Sequence, residues 1–338
     1  RKEHAHAETG RIYREPLDIR DTIRKCIHRT AHSRLFGSYR CGQAPLMEQV
    51  FDPGLLVERK KRALRTGRTD ADFLMLRVAE DLGERLSTVG RDFPEAAALF
   101  CQTAAAGDVL RQSGKVGNIH RVEADAALLG EAEGMAATPE TVPLPPESLD
   151  LAVSLLSLHA MNDIPGMLIQ IRRALKPNGL FLGALAGSGT LAELREVLLV
   201  AETELFGGAS PRVAPFVDVR DAGGLLQRAG FALPVADTET IRVRYASMFE
   251  LMRDLRAMGE TSVLAARPRR PVPLRFFTRA ADIYAERHAE ADGRIPATFQ
   301  IVWLSGWAPH ASQQKPLRPG SAAARLADVL AAGDKNGG

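Results

Sequence analysis

The chain has 338 residues, 45% of them hydrophobic and 25% charged, the balance of a globular protein rather than of a disordered or collagen-like one. No uncharged apolar run approaches about 20 residues, which excludes a bilayer-spanning helix. The three cysteines, Cys26, Cys41 and Cys101, lie far apart; they form neither a metal-ligand pair nor a disulfide framework and favour a reducing compartment. The net charge of +3 is uneven: residues 1–46 carry ten Lys/Arg against five Asp/Glu, and the remainder 34 against 36. The body therefore has no global basic field of the kind nucleic acid requires.

Residues 1–46 start at Arg1, contain His4, His6, His28 and His32, and precede the first methionine, Met47. Their apolar residues have no sustained period, apart from Leu17 to Ile27, which reads as a short helix. Five acids argue against a transit peptide. We expect a largely disordered extension of the reading frame, with translation starting at Met47. The 36 arginines against eight lysines suit a GC-rich genome, and a bacterial cytoplasm is the expected location, with the mitochondrial matrix as the alternative.

In the body, Asp52-Pro53-Gly54 opens a helix that runs to Arg65, with Asp before Pro as the start signal. Its basic run, Glu58 to Arg62, reads as a solvated face, although it could bind phosphate. Apolar residues at 74, 78, 82 and 86 mark one face of a second helix. Short apolar runs then alternate with helical patterns. Strands are predicted at Ala96–Cys101, Ile119–Glu123, Leu149–Leu156 and Leu180–Leu185. Between the last two, Ile164, Leu168, Ile171 and Leu175 line a helix that Asn162 and Asp163 are placed to cap and that Lys176-Pro177-Asn178-Gly179 stops. Further helices are expected at Thr190–Leu205, Asp221–Ala229 and Met248–Met258, the last with a methionine-rich stripe that reads as core. Ile241–Tyr245 and Phe299–Trp303 read as strands, and Ser321–Ala332 as a short terminal helix after a loop-like stretch from Pro309. Serial strand–helix–strand units make a doubly wound, mainly parallel α/β sheet with added helices.

Ligands of such a sheet bind beyond the carboxyl ends of its strands. The turn after the first predicted strand, Cys101 to Asp108, holds a single glycine, Gly107, and methyl groups where a nucleotide would need close approach. Glu123 and Asp125 are both placed for ribose hydroxyls at the end of the second strand, or are solvent-facing carboxylates. The third strand leads into His159, Asn162 and Asp163. His159 reads as a general base with Asp163 as its orienter, or as a histidine bonded to a loop carbonyl. No P-loop, HExxH or CxxC pattern appears.

The block Ser148-Leu-Asp-Leu-Ala-Val-Ser-Leu-Leu-Ser-Leu-His159 and the turn Arg173-Ala-Leu-Lys-Pro-Asn-Gly-Leu-Phe-Leu182 resemble the fourth- and fifth-strand blocks of class I S-adenosylmethionine-dependent methyltransferases. The segments Gly189–Arg195, Ser210–Arg212, Asp221–Phe231, Met248–Glu260 and Pro296–Gln300 resemble the branch that holds a mitochondrial complex I assembly factor of methyltransferase fold and its alphaproteobacterial relatives. Malonyl-acyl-carrier-protein methyltransferase is a more distant cousin. The resemblance implies a Rossmann-like domain over residues 47–310 with a helical insert at about 190–295 and a tail at 311–338. It also implies S-adenosylmethionine as cofactor, near Ala105, Gly107, Asp125, Glu140, Ser154 and Leu155. The activity implied is methyl transfer to a protein or small acid. The alternative is a non-methylating assembly role, arginine hydroxylation included, on a respiratory-chain subunit. Two places depart from the family pattern: Ala97 to Gly107 lacks the acidic-Gly-x-Gly motif, and Thr138 stands where an adenine-contacting acid is expected, with Glu140 two positions on.

Overall fold

The computed structural model describes residues 49–314. The expectations for residues 1–46, for a start at Met47 and for a helix at Ser321–Ala332 lie outside them. Seven strands form one sheet in the order β3-β2-β1-β4-β5-β7-β6. They are β1 Phe93–Leu99, β2 Val116–Glu123, β3 Met135–Ala136, β4 Leu149–Leu155, β5 Leu175–Ala186, β6 Ala232–Tyr245 and β7 Ile295–Trp307. β7 runs antiparallel to both neighbours and the other pairings are parallel. Among the described residues eight α-helices accompany it: α1 Pro53–Thr66, α2 Phe73–Ser87, α3 Ala105–Gln112, α4 Ile164–Ala174, α5 Ala192–Phe206, α6 Val219–Arg228, α7 Met248–Ala257 and α8 Leu274–His288. This is the doubly wound, mainly parallel sheet that the sequence predicts.

The strands alternate their side chains between two cores, as a period of two requires. Ala96, Ala98, Leu151, Val153, Leu182 and Ala184 face one side, against α2, α5 and α8, and the α2 stripe of Leu74, Val78, Leu82 and Leu86 is buried there. Ala97, Leu99, Ala152, Phe181 and Leu185 face the other, against α4 and α6. Asp52 caps α1 by accepting from the Leu55 N–H at 3.0 Å. Asp163 caps α4 by accepting from the Gly166 N–H at 2.8 Å.

Three local features differ from the sequence reading. β5 starts at Leu175, so the expected stop lies inside it; Asn178, not Gly179, takes the left-handed conformation, with φ 63°. Gly179 is needed for space, since a Cβ there would lie 2.9 Å from the Lys176 carbonyl oxygen and 3.1 Å from that of Leu149. The segment 190–295 is not purely helical, because it includes the 14-residue edge strand β6. Within the basic run of α1, Lys60 is 7% exposed, so this part of the run faces inward rather than into solvent.

Candidate functional site

In this strand order the crossovers diverge between β1 and β4, the point where a doubly wound sheet opens a crevice. There the backbone departs from ordinary conformations. Phe100 and Gln102 after β1, and Leu156 after β4, have φ of 56°, 60° and 51°, a region that costs a side-chain-bearing residue about 1–2 kcal/mol. The loops are held by bonds to their neighbours. The Phe100 N–H donates to Val122 O and the Leu156 N–H to Ala184 O, both at 2.7 Å. Arg121 donates to the Gln102 carbonyl at 3.0 Å. The turn after β1 thus has left-handed residues without the glycines that usually supply them, and Phe100 and Gln102 bring side chains into the crevice.

Two cavities occupy the crevice. The larger, about 90 Å³, is lined by apolar Leu74, Met75, Leu191, Leu255 and Met258 and by polar Asp72, Gln102, His159 and Glu260. The smaller, about 30 Å³, lies over β2 and is lined by Phe100, Glu123, Leu128, Lys60, Glu140 and Ser157 among others. A line of ionisable groups joins them. Lys60 Nζ lies 3.6 Å from Glu260 Oε1, and Glu260 Oε2 lies 3.5 Å from His159 Nε2. His159 Nδ1 accepts a long bond from the Ala186 N–H at 3.4 Å, so the ring proton is assigned to Nε2, facing Glu260. The ring meets Phe216 edge-on, with centroids 5.7 Å apart.

These surroundings set the charges. Burial works against the Glu260 carboxylate, but the Lys60 charge and the His159 bond outweigh it and hold the carboxyl at about 2. Burial pushes Glu123 the other way, up to about 7, against the opposing pull of Arg121 and Lys60. Burial also raises the Asp72 carboxyl and pushes the Cys101 thiol up to about 12, so no thiolate nucleophile forms there at neutral pH.

The sequence-predicted residues are distributed around this line. His159 follows β4 in a short 3₁₀ turn, Leu158–Ala160, and faces the larger cavity. The carboxylate beside it is Glu260; Asp163 instead serves as the α4 cap. Asp125 accepts from the Ala127 N–H at 2.9 Å and from Lys61 Nζ at 3.1 Å, while Glu123 is the acid that lines a cavity. Glu140 accepts from the N–H groups of Asn162 at 2.5 Å and Asp163 at 3.1 Å, which ties both its carboxylate oxygens to the loop after β4. Ser154 is fully buried, and its hydroxyl pairs with Ser157 Oγ at 2.9 Å. The Leu155 N–H donates to Cys101 Sγ at 3.4 Å. Ala105 and Gly107 lie in the first turn of α3 and line neither cavity. Sequence reasoning missed Lys60, Glu260 and Asp72 as site residues. The available signal for Glu260 was local: Gly259, with φ 80°, ends α7 and turns the chain back toward the sheet.

A methyltransferase domain family matches residues 99–183. The chain is 39% identical over 306 residues to the mitochondrial arginine-hydroxylase NDUFAF5 of Rattus norvegicus, across 86% of this chain and 89% of that protein. Identity to the Homo sapiens protein is 38% over 301 residues, 86% of each chain. The malonyl-[acyl-carrier protein] O-methyltransferase of Laribacter hongkongensis is 35% identical over 181 residues, 54% of this chain and 58% of that protein. The branch resemblance read from the segments between Gly189 and Gln300 is therefore sustained along most of the length of both proteins, and the chain belongs to the NDUFAF5 arginine-hydroxylase family, built on a methyltransferase domain.

Proposed function

We propose that this chain acts on an arginine side chain of a protein partner, seating the guanidinium against Glu260 in the larger cavity. The observation that carries this reading is Glu260 itself, an ionised carboxylate, 30% exposed, in an otherwise largely apolar cleft. A guanidinium is always charged, and its planar fork of donors matches a carboxylate. Leu74, Met75, Leu191, Leu255 and Met258 offer apolar walls for its methylene stem. Asp72 adds a second acid among the lining groups. The same acids repel a small carboxylic acid, so of the two substrate classes the protein arginine suits the charge better.

His159 is then a positioning residue: its Nε2 proton fixes one Glu260 oxygen and leaves the other for Lys60 or the incoming cation. Lys60 holds the place of a cation at Glu260, and the substrate shares or replaces it. The relatives are named as arginine hydroxylases, and the family resemblance points to a respiratory complex I subunit as partner. We place this activity in a bacterial cytoplasm, on the composition described above.

The methyltransferase domain implies S-adenosylmethionine, which supplies an electrophilic methyl on a sulfonium cation when bound. The donor set suits it: Glu123 at the end of β2 would hold ribose hydroxyls, and Ala124, Leu128 and Pro139 give an apolar bed for an adenine. The room is limited, because cofactor sites typically need about 300 Å³ or more and the Lys60–Glu260 pair stands between the two cavities.

The test is to incubate the full chain with a complex I subunit fraction from its own cells and map arginine peptides by mass spectrometry. Replacing an arginine C–H by C–OH is a two-electron oxidation, so the incubation is supplied with dioxygen and an electron donor; a gain of one oxygen atom at an arginine under those conditions supports the reading. A gain of a methylene group at an arginine would keep the arginine substrate and replace oxygen insertion by methyl transfer; modification confined to other residues overturns the reading.

A further inference from the structure

We propose that an arginine face built from α1, α7 and the loop after α7 docks an acidic segment of the protein partner beside the cleft; this deepens the arginine-substrate reading and rests on it. Four tertiary features assemble that face. Phe51 bridges Leu264 in antiparallel fashion, and the Asp52 N–H donates to Val263 O at 2.9 Å. Arg267 reaches Asp52 at 3.4 Å, which folds its loop over the start of α1. At the other end Gly259 lies so close beneath α1 that a Cβ there would come 3.2 Å from Lys60 Cα. Arg59 and Arg62 of α1, Arg256 of α7 and Arg267 converge as a result. Their proximity registers on Arg59, whose hold on its proton is weakened first by burial and then by Arg267, Arg62 and Arg256.

Among the described residues Arg59, Arg62 and Arg256 have no carboxylate within 4.0 Å, and Arg267 has Asp52. Arg269 and Arg270, both exposed, extend the loop. The cluster is local sorting rather than composition, since residues 47–338 carry more acids than bases.

The partner follows from the layout of charge. Leu255 and Met258 line the cleft, and Arg256 lies between them in sequence on the exposed side. Cations thus surround the approach on this side, while Glu260 and Asp72 lie inside. A peptide segment with acidic residues flanking an arginine satisfies both zones at once. A lipid surface or a nucleic acid, offering anions alone, satisfies only the outer one. The face also includes neither Trp nor Tyr on which bases could stack. Arginine forks, moreover, pair with carboxylates bidentately.

Fluorescence anisotropy with the full chain tests this. The probes are a labelled peptide of alternating Asp and Gly with one central Arg, and its counterpart with Gln in place of the Arg. The R62E/R256E variant, altered at two exposed positions, is expected to bind both peptides at least about tenfold more weakly and to lose most of the salt dependence. R62Q/R256Q should fall between it and the wild type. E260Q should weaken only the Arg peptide. Equal loss of both peptides in R62E/R256E with no preference for the Arg peptide in the wild type would uphold the docking face while refuting the arginine cleft. Wild-type affinity in R62E/R256E overturns the docking face. So does tighter binding of phosphatidylglycerol vesicles or poly(U) RNA than of the Arg peptide at the same ionic strength.

Discussion

Replacing Glu123 by Gln offers a quantitative check on the electrostatics of the crevice. Glu123 is 1% exposed, and burial raises its carboxyl from 4.5 to about 7. Below both values the group is protonated, folded or unfolded, and contributes nothing to the pH dependence. As the pH rises from 4.5, the unfolded chain ionises while the native state keeps its proton. The native state is then penalised progressively until about pH 7, and the penalty is constant above it. One pH unit of such mismatch is about 1.4 kcal/mol, so the full penalty is about 3 kcal/mol. The E123Q variant has no such titration and keeps a neutral side chain of nearly the same shape beside Arg121. Urea unfolding at several pH values between 4.5 and 8 measures the difference, with Trp303 and Trp307 of β7 as intrinsic fluorophores. E123Q should gain on the wild type by about 3 kcal/mol across that range, all of it below about pH 7. A difference that stays constant across the range would refute the buried, protonated Glu123.

The opposite sign is expected at Glu260, whose carboxyl is held at about 2: its contribution is complete above its ordinary value and is lost as the pH falls toward 2. E260Q should therefore flatten acid unfolding between those limits, as followed by circular dichroism. Lys60→Met leaves Glu260 with His159 alone and should destabilise the fold by about 2 kcal/mol, a value reduced by the partial exposure of Glu260; K60M/E260Q should recover part of that loss in a double-mutant cycle. Leu82→Ala, at a fully buried position on α2, should cost about 3–5 kcal/mol in urea unfolding. His159→Asn should lower stability by only about 1 kcal/mol while raising the KM for the arginine substrate; unchanged KM and kcat would make the histidine purely structural.

Local signals predicted much of the fold. The spacing of Leu74, Val78, Leu82 and Leu86, the apolar run Leu149–Leu156 and the sequence Asp163-Ile164-Pro165 each record an interaction within one element, and each element forms, the strand ending one residue earlier at Leu155. Long-range pairings did not show. Lys60 and Glu260 are 200 residues apart, and a lysine within a basic run looks the same whether it faces solvent or a half-buried carboxylate. The first half of β6 lacks a two-residue apolar alternation because it forms the edge of the sheet, with Leu233 and Val235 exposed. β3 consists of two residues held by pairing with β2, too few to leave a period. At Asp163 two local roles competed, helix cap and histidine orienter, and the backbone N–H of Gly166, three residues away, takes the carboxylate. The turn after β1 was legible in composition but not in shape, because nothing in Phe100-Cys101-Gln102 announces left-handed residues that long-range bonds from β2 hold in place.

Whether Glu260 receives a protein arginine is decided by comparing partner protein recovered from cells expressing either the wild-type chain or E260Q. Quantitative peptide mass spectrometry should find one arginine carrying an added oxygen atom with the wild type. The same arginine should be unmodified with E260Q, although the variant is folded and equally abundant. Equal modification of that arginine by both chains would contradict the account.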